Sequence, residues 1–397
     1  MEKLSSRVAH LSESQTIAMA RRSRELKEQG IDVISLSLGE PDFNTPDVVK
    51  QAAKKAIDDN FSFYTHVSGY LELRQAISRK FKRDNDLDYS AEQIVVSTGA
   101  KQSIANAMLS LVNPGDEVLV PSPYWVSYLD IIRLAEGKIV PVDASLENDF
   151  KITGEQLKKA ITPKSRVIIF SSPCNPTGSV YSLKELEELA NVIAGYPNLY
   201  IIADEIYEHI NFIGKTPSMG TIASVKDRVI TINGLSKAFA MTGWRVGYLG
   251  APTEIAKACD KIQGQITSAT CSIAQKAAEA AVNMDPATTI PMRESFKKRR
   301  DLVIKLMKDI PGLKCNVPDG AFYVFPDVTY YFGKSYEGTL MKNASDLCAF
   351  LLDHAQVAIV PGVAFGNDDH VRISYATSEA QLTKAFTRIK ESLSQLK

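Results

Sequence analysis

The chain has 397 residues, of which 45% are hydrophobic and 23% charged, enough to bury a core for two domains and unlike a disordered or membrane-embedded sequence. Lysine plus arginine equals aspartate plus glutamate at 46 each, so no basic field points to nucleic acid or an anionic membrane, and small molecules are the expected partners. The five cysteines are odd in number and never paired at zinc-binding spacing, the five histidines are too scattered for a local metal motif, and no apolar run reaches the ~18 residues of a membrane span. Reduced thiols, no metal, no export and a cytoplasmic location are expected.

Residues 1–45 read as an N-terminal arm and part of a small domain, with a helix around Ile17 to Gln29 and a connection over Leu36 to Phe43. Residues 46–290 alternate short apolar runs with helix-like segments, the pattern of a mainly parallel sheet covered by helices on both faces. Ile94–Val96, Glu117–Val120, Val167–Phe170, Tyr200–Ala203 and Val229–Ile232 each read as a buried strand. Residues 291–397 change character: a charged helix around Met292 to Leu306, a strand over Ala321–Phe325, a helix from Ser345 to His354, a strand over Val371–Ser374 and a final helix from Glu379 form a smaller α+β domain.

The residues that carry chemistry fall where predicted strands end, the edge at which open α/β sheets bind ligands. Ser97-Thr98-Gly99-Ala100-Lys101-Gln102 passes from a strand into a helix running to about Leu111, and free amides at such a helix start form an anion site. Ser236 and Arg245 add a hydroxyl and a guanidinium suited to a phosphate. Tyr124-Trp125 offers an aromatic plate or, equally, a core pair. Asn175, between Pro173 and Pro176, sits in a stiff loop able to aim its amide, although the segment also reads as a plain turn. Asp204 ends the apolar strand Leu199 to Ala203; it is either a helix cap or a buried carboxylate in need of a cation. Lys237, a residue type ordinarily solvated, takes meaning from these neighbours: a lysine amine condenses with an aldehyde cofactor, and a carboxylate keeps the cofactor's ring protonated.

Asn175-Pro176-Thr177-Gly178, Asp204-Glu205-Ile206-Tyr207, Ser236-Lys237-Ala238-Phe239 and Gly243-Trp244-Arg245-Val246-Gly247 together resemble the class I aminotransferases of fold type I, and the resemblance extends from Gly39–Phe43 to Val371–Ser374. It implies a large domain with a mainly parallel seven-stranded sheet, a smaller α+β domain, pyridoxal 5'-phosphate as cofactor, and a homodimer with shared active sites. Lys237 would form the imine, Asp204 would pair with the ring nitrogen, and Tyr207 and Asn175 would bond the ring's phenolic oxygen. Trp125 would stack on the ring. The backbone of Gly99, Ala100 and Lys101, with Ser236 and Arg245, would hold the phosphate, joined by Tyr64 of a second subunit. Arg372 would grip the substrate α-carboxylate with Asn175 and the Gly39 backbone.

Tyr124–Tyr128 and Ala238–Arg245 are most similar to bacterial-type aspartate aminotransferases, which implies transfer from L-aspartate to 2-oxoglutarate, with Lys101 and Thr16 on the distal carboxylate. The alternative is a broader aromatic or prephenate/glutamate specificity. Ser12 stands where prephenate-using members tend to carry a basic residue, which argues against prephenate unless His10 or other arm residues compensate. Cys174 replaces the usual asparagine or histidine before Asn175 and reads as a small filler. Two rivals from other classes are a C–S β-lyase on the same scaffold, which pyruvate release from cystathionine would reveal, and a non-catalytic regulator, for which no DNA-binding module is present.

Overall fold

A computed structural model describes residues 4–9, 11 and 15–397. Ser12 and His10, which carried the prephenate expectation, lie outside the described residues. The large sheet has seven strands: β1 (Ile94–Ser97), β2 (Glu117–Ser122), β3 (Lys138–Asp143), β4 (Ser165–Ser171), β5 (Tyr200–Asp204), β6 (Val229–Gly234) and β7 (Gly247–Gly250). Their order is β1-β7-β6-β5-β4-β2-β3, and only β7 runs against its neighbours.

Strand alternation explains why both faces are covered. Val118, Val120, Val167, Ile169, Ile202, Ile230 and Ile232 point to one side, where they pack with the helices Ala100–Leu111 and Thr253–Ile266. Leu119, Ile168, Phe170, Ile201, Ala203 and Val229 point to the other, against Leu183–Ala194. That last helix starts where its sequence says it should: the Ser182 side chain accepts from the Glu185 amide while Glu185 reaches back to the Ser182 amide. The central strands are mainly apolar along their middles because neither face meets water.

All five strands read from apolar runs are present. The two without such a run are β3, an edge strand whose residues are mostly exposed or half-buried, and β7, which is bounded by glycines. The expected strand over Ala321–Phe325 is shorter: only Tyr323–Val324 enters a ladder, because Ala321 takes a left-handed φ of 56° and Pro326 follows. The expected helices correspond to Gln15–Glu28, Ile290–Lys308, Ala344–His354 and Glu379–Leu393.

Residues 34–36 join the C-terminal part. Ile34–Ser35 pairs in parallel with Val357–Ala358, and the Ser374 amide donates to the Leu36 carbonyl. One core combines Ile34 and Leu36 with Phe296, Val303, Leu347, Ile373, Leu382 and Phe386, and it also receives Ile206, Tyr207 and Ile210 from the loop after β5. The loop carrying Asp204 and Tyr207 is thereby clamped between the two parts of the molecule.

A buried ion network holds the same loop from behind. The Lys80 ammonium donates to Glu208 and to Asn85 Oδ1 at 2.9 Å, and Asp84 lies 3.9 Å from it. Burial pushes the Glu208 carboxyl up, and Lys80 with His209 more than reverses this, holding it below the ordinary carboxylate range. Asp84 and the distant pair Glu208 and His209 bring ligand-type atoms within 4.8 Å of one another, but the Lys80 ammonium already supplies the cation there. Lys80→Met should therefore destabilise the protein by about 3–5 kcal/mol, because it strands a buried carboxylate. A Lys80→Met/Glu208→Leu double variant should recover most of that loss in denaturant midpoint; failure to recover would mean that Lys80 acts elsewhere.

Candidate active site

The strand register sets the floor of the site. Ser171 pairs with Asp204, and Asp204 with Ile232, so β4 and β5 end on one rung, β6 runs on to Gly234, and Asp204 lies at the carboxyl edge. A cavity of about 360 Å³ opens above it. Thr16, Gly39, Ala100, Lys101, Trp125, Asn175, Asp204, Tyr207, Ser236, Lys237, Arg245 and Arg372, all singled out in the sequence, line this one cavity.

One end of the cavity is built for an anion. The helix Ala100–Leu111 begins there, with first-turn amides that have no helical acceptor. Gly99 precedes it with φ 85°, and a Cβ at that position would lie 2.2 Å from Arg245 Nη2, so only glycine lets the guanidinium close over the helix start. Arg245 takes a left-handed φ of 56° and donates to the Thr242 carbonyl at 2.9 Å, which fixes its direction. Ser236 completes this end.

Asp204 forms the floor. It is buried, with its Oδ2 accepting from the Tyr128 hydroxyl at 2.8 Å and its Oδ1 from the Ile206 amide at 3.2 Å. Burial raises its pKa to about 6, because neither hydrogen bond brings a positive charge. Lys237 stands over it. Its Nζ donates to the Gly39 carbonyl at 2.6 Å, and burial together with the Arg372 charge lowers its pKa to about 8. An amine so placed is neutral in a substantial fraction at physiological pH, the state needed for a nucleophile or base.

The opposite wall holds Arg372, 2% exposed, whose Nη1 donates to Asn175 Oδ1 at 3.0 Å and whose Nη2 donates to the Ser37 carbonyl. Its ring supports are Tyr323 and Phe365, with centroids 4.6 and 4.8 Å from the guanidinium carbon, and its Nε has no hydrogen-bond partner among the described residues. At the mouth, Lys101 Nζ lies 5.1 Å from the Trp125 ring, and the buried Thr16 hydroxyl also lacks a partner among the described residues.

Tyr64 is absent from the cavity: it is 99% exposed on the same chain. Gly99 acts from just outside, through the space it leaves for Arg245. Sequence reasoning gave no role to Tyr128 or Tyr323. Tyr128 stood one helical turn beyond Trp125, a spacing that would have placed both on one face; nothing marked Tyr323 within its apolar run.

A lysine, a buried carboxylate, an anion cup and a buried arginine around one cavity define a site for group transfer on a small anionic substrate. Residues 31–389 match the family Aminotransferase class I and II, and the chain belongs to it. Among its relatives are a probable aspartate/prephenate aminotransferase of Rickettsia bellii, 45% identical over 100% of both chains, and an aspartate/prephenate aminotransferase of Nitrosomonas europaea, 45% identical over 99% of this chain and 100% of its own. Among solved structures, the aspartate aminotransferase of Rhizobium meliloti is 42% identical with a TM-score of 0.96 over 100% of both chains, and that of Thermus thermophilus with maleate is 39% identical with a TM-score of 0.93 over 99% of this chain and 100% of its own. These neighbours share the α/β fold described above.

Proposed function

We propose that this aminotransferase uses pyridoxal 5'-phosphate to move the amino group of L-aspartate to 2-oxoglutarate. The observation that carries the reading is that Lys237, Asp204, Arg372 and Lys101 line one cavity.

The residues fit the cofactor. Asp204 is a buried carboxylate with no cationic hydrogen-bond partner, the first-turn amides with Ser236 and Arg245 make a cup for a dianion, and Gly99 leaves room that a Cβ would fill. Bound through Lys237, the cofactor supplies an aldehyde for the substrate amine and a protonated ring as electron sink. Asp204 would pair with the proton on that ring's nitrogen, Tyr207 and Asn175 would bond its phenolic oxygen, and Trp125 would cover its face. Arg372 takes the substrate α-carboxylate through a rigid fork, which orients the Cα–H bond toward Lys237. Once displaced from the aldehyde by the substrate amine, Lys237 Nζ would be free to take the α-proton, and its depressed pKa suits that task.

For the distal carboxylate we assign Lys101 and Thr16. The relatives' names support an acidic substrate, and they also support the broader alternative in which prephenate is accepted. We further propose a homodimer in the cytoplasm, with Tyr64 reaching the partner's phosphate cup; its near-complete exposure beside an 81% exposed Phe63 supports this. Among the described residues, no helix is long and apolar enough to cross a membrane. The division at residues 45 and 290 remains our reading of the domains.

Lys101→Ala tests the substrate assignment. It should raise the KM for L-aspartate by about 10–100-fold, the worth of one charged hydrogen bond, while leaving transamination of phenylalanine nearly unchanged. An equal loss with both donors would move Lys101 to the phosphate alone. Prephenate used as efficiently as oxaloacetate would favour the broader reading.

A further inference from the structure

The two halves of the cavity are joined by a contact between tyrosines. Tyr207 follows β5 in the large sheet, whereas Tyr323 lies on the short strand Tyr323–Val324, paired with Val371–Ser374, which carries Arg372. Their hydroxyls are 2.7 Å apart, and both side chains are buried. The Arg372 guanidinium carbon lies 4.6 Å from the Tyr323 ring centroid. The Tyr323 hydroxyl also fills the space beneath Gly39: a Cβ there would lie 2.1 Å from that oxygen. Gly39 is in turn the residue whose carbonyl accepts from Lys237. One side chain thus touches the residues behind the substrate carboxylate, the cofactor's phenolic oxygen and the lysine.

We propose that Tyr323 is a positioning residue that couples occupancy of Arg372 to the hydrogen-bonding strength of Tyr207. The proposal rests on the reading of Lys237 and Tyr207 as cofactor-facing groups. Its physical basis is cooperative: a hydroxyl that accepts a hydrogen bond becomes a better donor. With Tyr323 donating to it, Tyr207 donates more strongly to an anionic oxygen in the cavity. A carboxylate on Arg372 draws the guanidinium away from the face of the Tyr323 ring and changes the polarity of its hydroxyl, so binding at one wall is felt at the other. The charged and titratable groups facing this pair are Arg372 and Lys237, with Asp204 behind Tyr207; Glu40 and Arg245 act on Lys237 from the far side.

The experiment is a pH titration of the visible absorption band of protein loaded with pyridoxal phosphate, with and without maleate as an inert dicarboxylate. In Tyr323→Phe the ring stays behind Arg372 while the hydroxyl is lost. A weaker donor at Tyr207 stabilises the deprotonated, more anionic cofactor less, so the midpoint should rise by about half a unit, or about threefold in proton affinity, and the shift produced by maleate should shrink. The same substitution in a Tyr207→Phe background should add nothing. Tyr323→Leu, which removes the ring as well, should weaken maleate binding about tenfold. An unchanged midpoint in Tyr323→Phe, or the same shift in both backgrounds, overturns the coupling. If wild-type protein shows no visible band, the role of Lys237 fails first, and the coupling fails with it.

Discussion

Lys237→Ala is expected to leave a folded protein that transfers no measurable amino group, with a loss of about 10⁴-fold or more in kcat. The size follows from the two tasks proposed for Lys237, anchoring the cofactor's aldehyde and carrying the α-proton. Lys101, the other amine that lines the cavity, sits at the mouth beside Trp125. The fold should persist because the substitution removes a desolvated amine whose pKa burial has already lowered to about 8, and whose one hydrogen bond is to the Gly39 carbonyl. A coupled assay for oxaloacetate checks the first half and far-ultraviolet circular dichroism the second. Residual activity within tenfold of wild type would remove Lys237 from the chemistry.

Asp204→Asn should separate activity from stability. Loss of the negative charge at the floor should lower kcat by about 10³-fold, the scale of removing one preorganised electrostatic partner. Without cofactor, the same change should stabilise the protein, because the folded-state pKa of about 6 lies above the ordinary 3.8. A carboxyl raised on folding contributes stability below 3.8 that is lost as pH climbs through about 6, at about 1.4 kcal/mol per unit, so at most about 3 kcal/mol is forfeited at neutral pH. The advantage of Asp204→Asn in thermal midpoint should thus be full above about pH 6 and fade toward pH 4. Adding pyridoxal phosphate should reverse the ranking, since the wild-type carboxylate then gains a cation. A pH-independent difference would show that the carboxylate is not desolvated.

Much of this arrangement was legible because its signals were local. The five strands read from the sequence are short, mainly apolar runs, and functional residues follow their ends within a few positions: Asn175 after β4, Asp204 at the end of β5, Lys237 after β6. What sequence could not reveal depends on distant segments meeting. The β3 edge has too few buried positions to stand out, and Lys80 reads as a surface charge until Glu208, 128 residues away, is seen against it. Tyr128 and Tyr323 belong to the same group: each is one aromatic among several in an apolar stretch, and only the folded chain aims its hydroxyl at Asp204 or Tyr207. Burial rather than motif determines the properties of Asp204 and Lys237, so their altered proton affinities are read from the structure.

The reversed strand β7 sets a limit on how this chain can diverge. Gly234 and Gly247 face each other on one rung, so the connection between them, residues 235–246, leaves and returns at the same point of the sheet while carrying Ser236, Lys237 and Arg245. Side chains along it other than those three are replaceable in principle, but its length is not: one inserted or deleted residue would move the arginine relative to the lysine and separate the anion cup from the amine. Insertions and deletions among descendants of this gene should therefore accumulate around exposed turns such as 213–215 and 337–340 and be absent from 235–246.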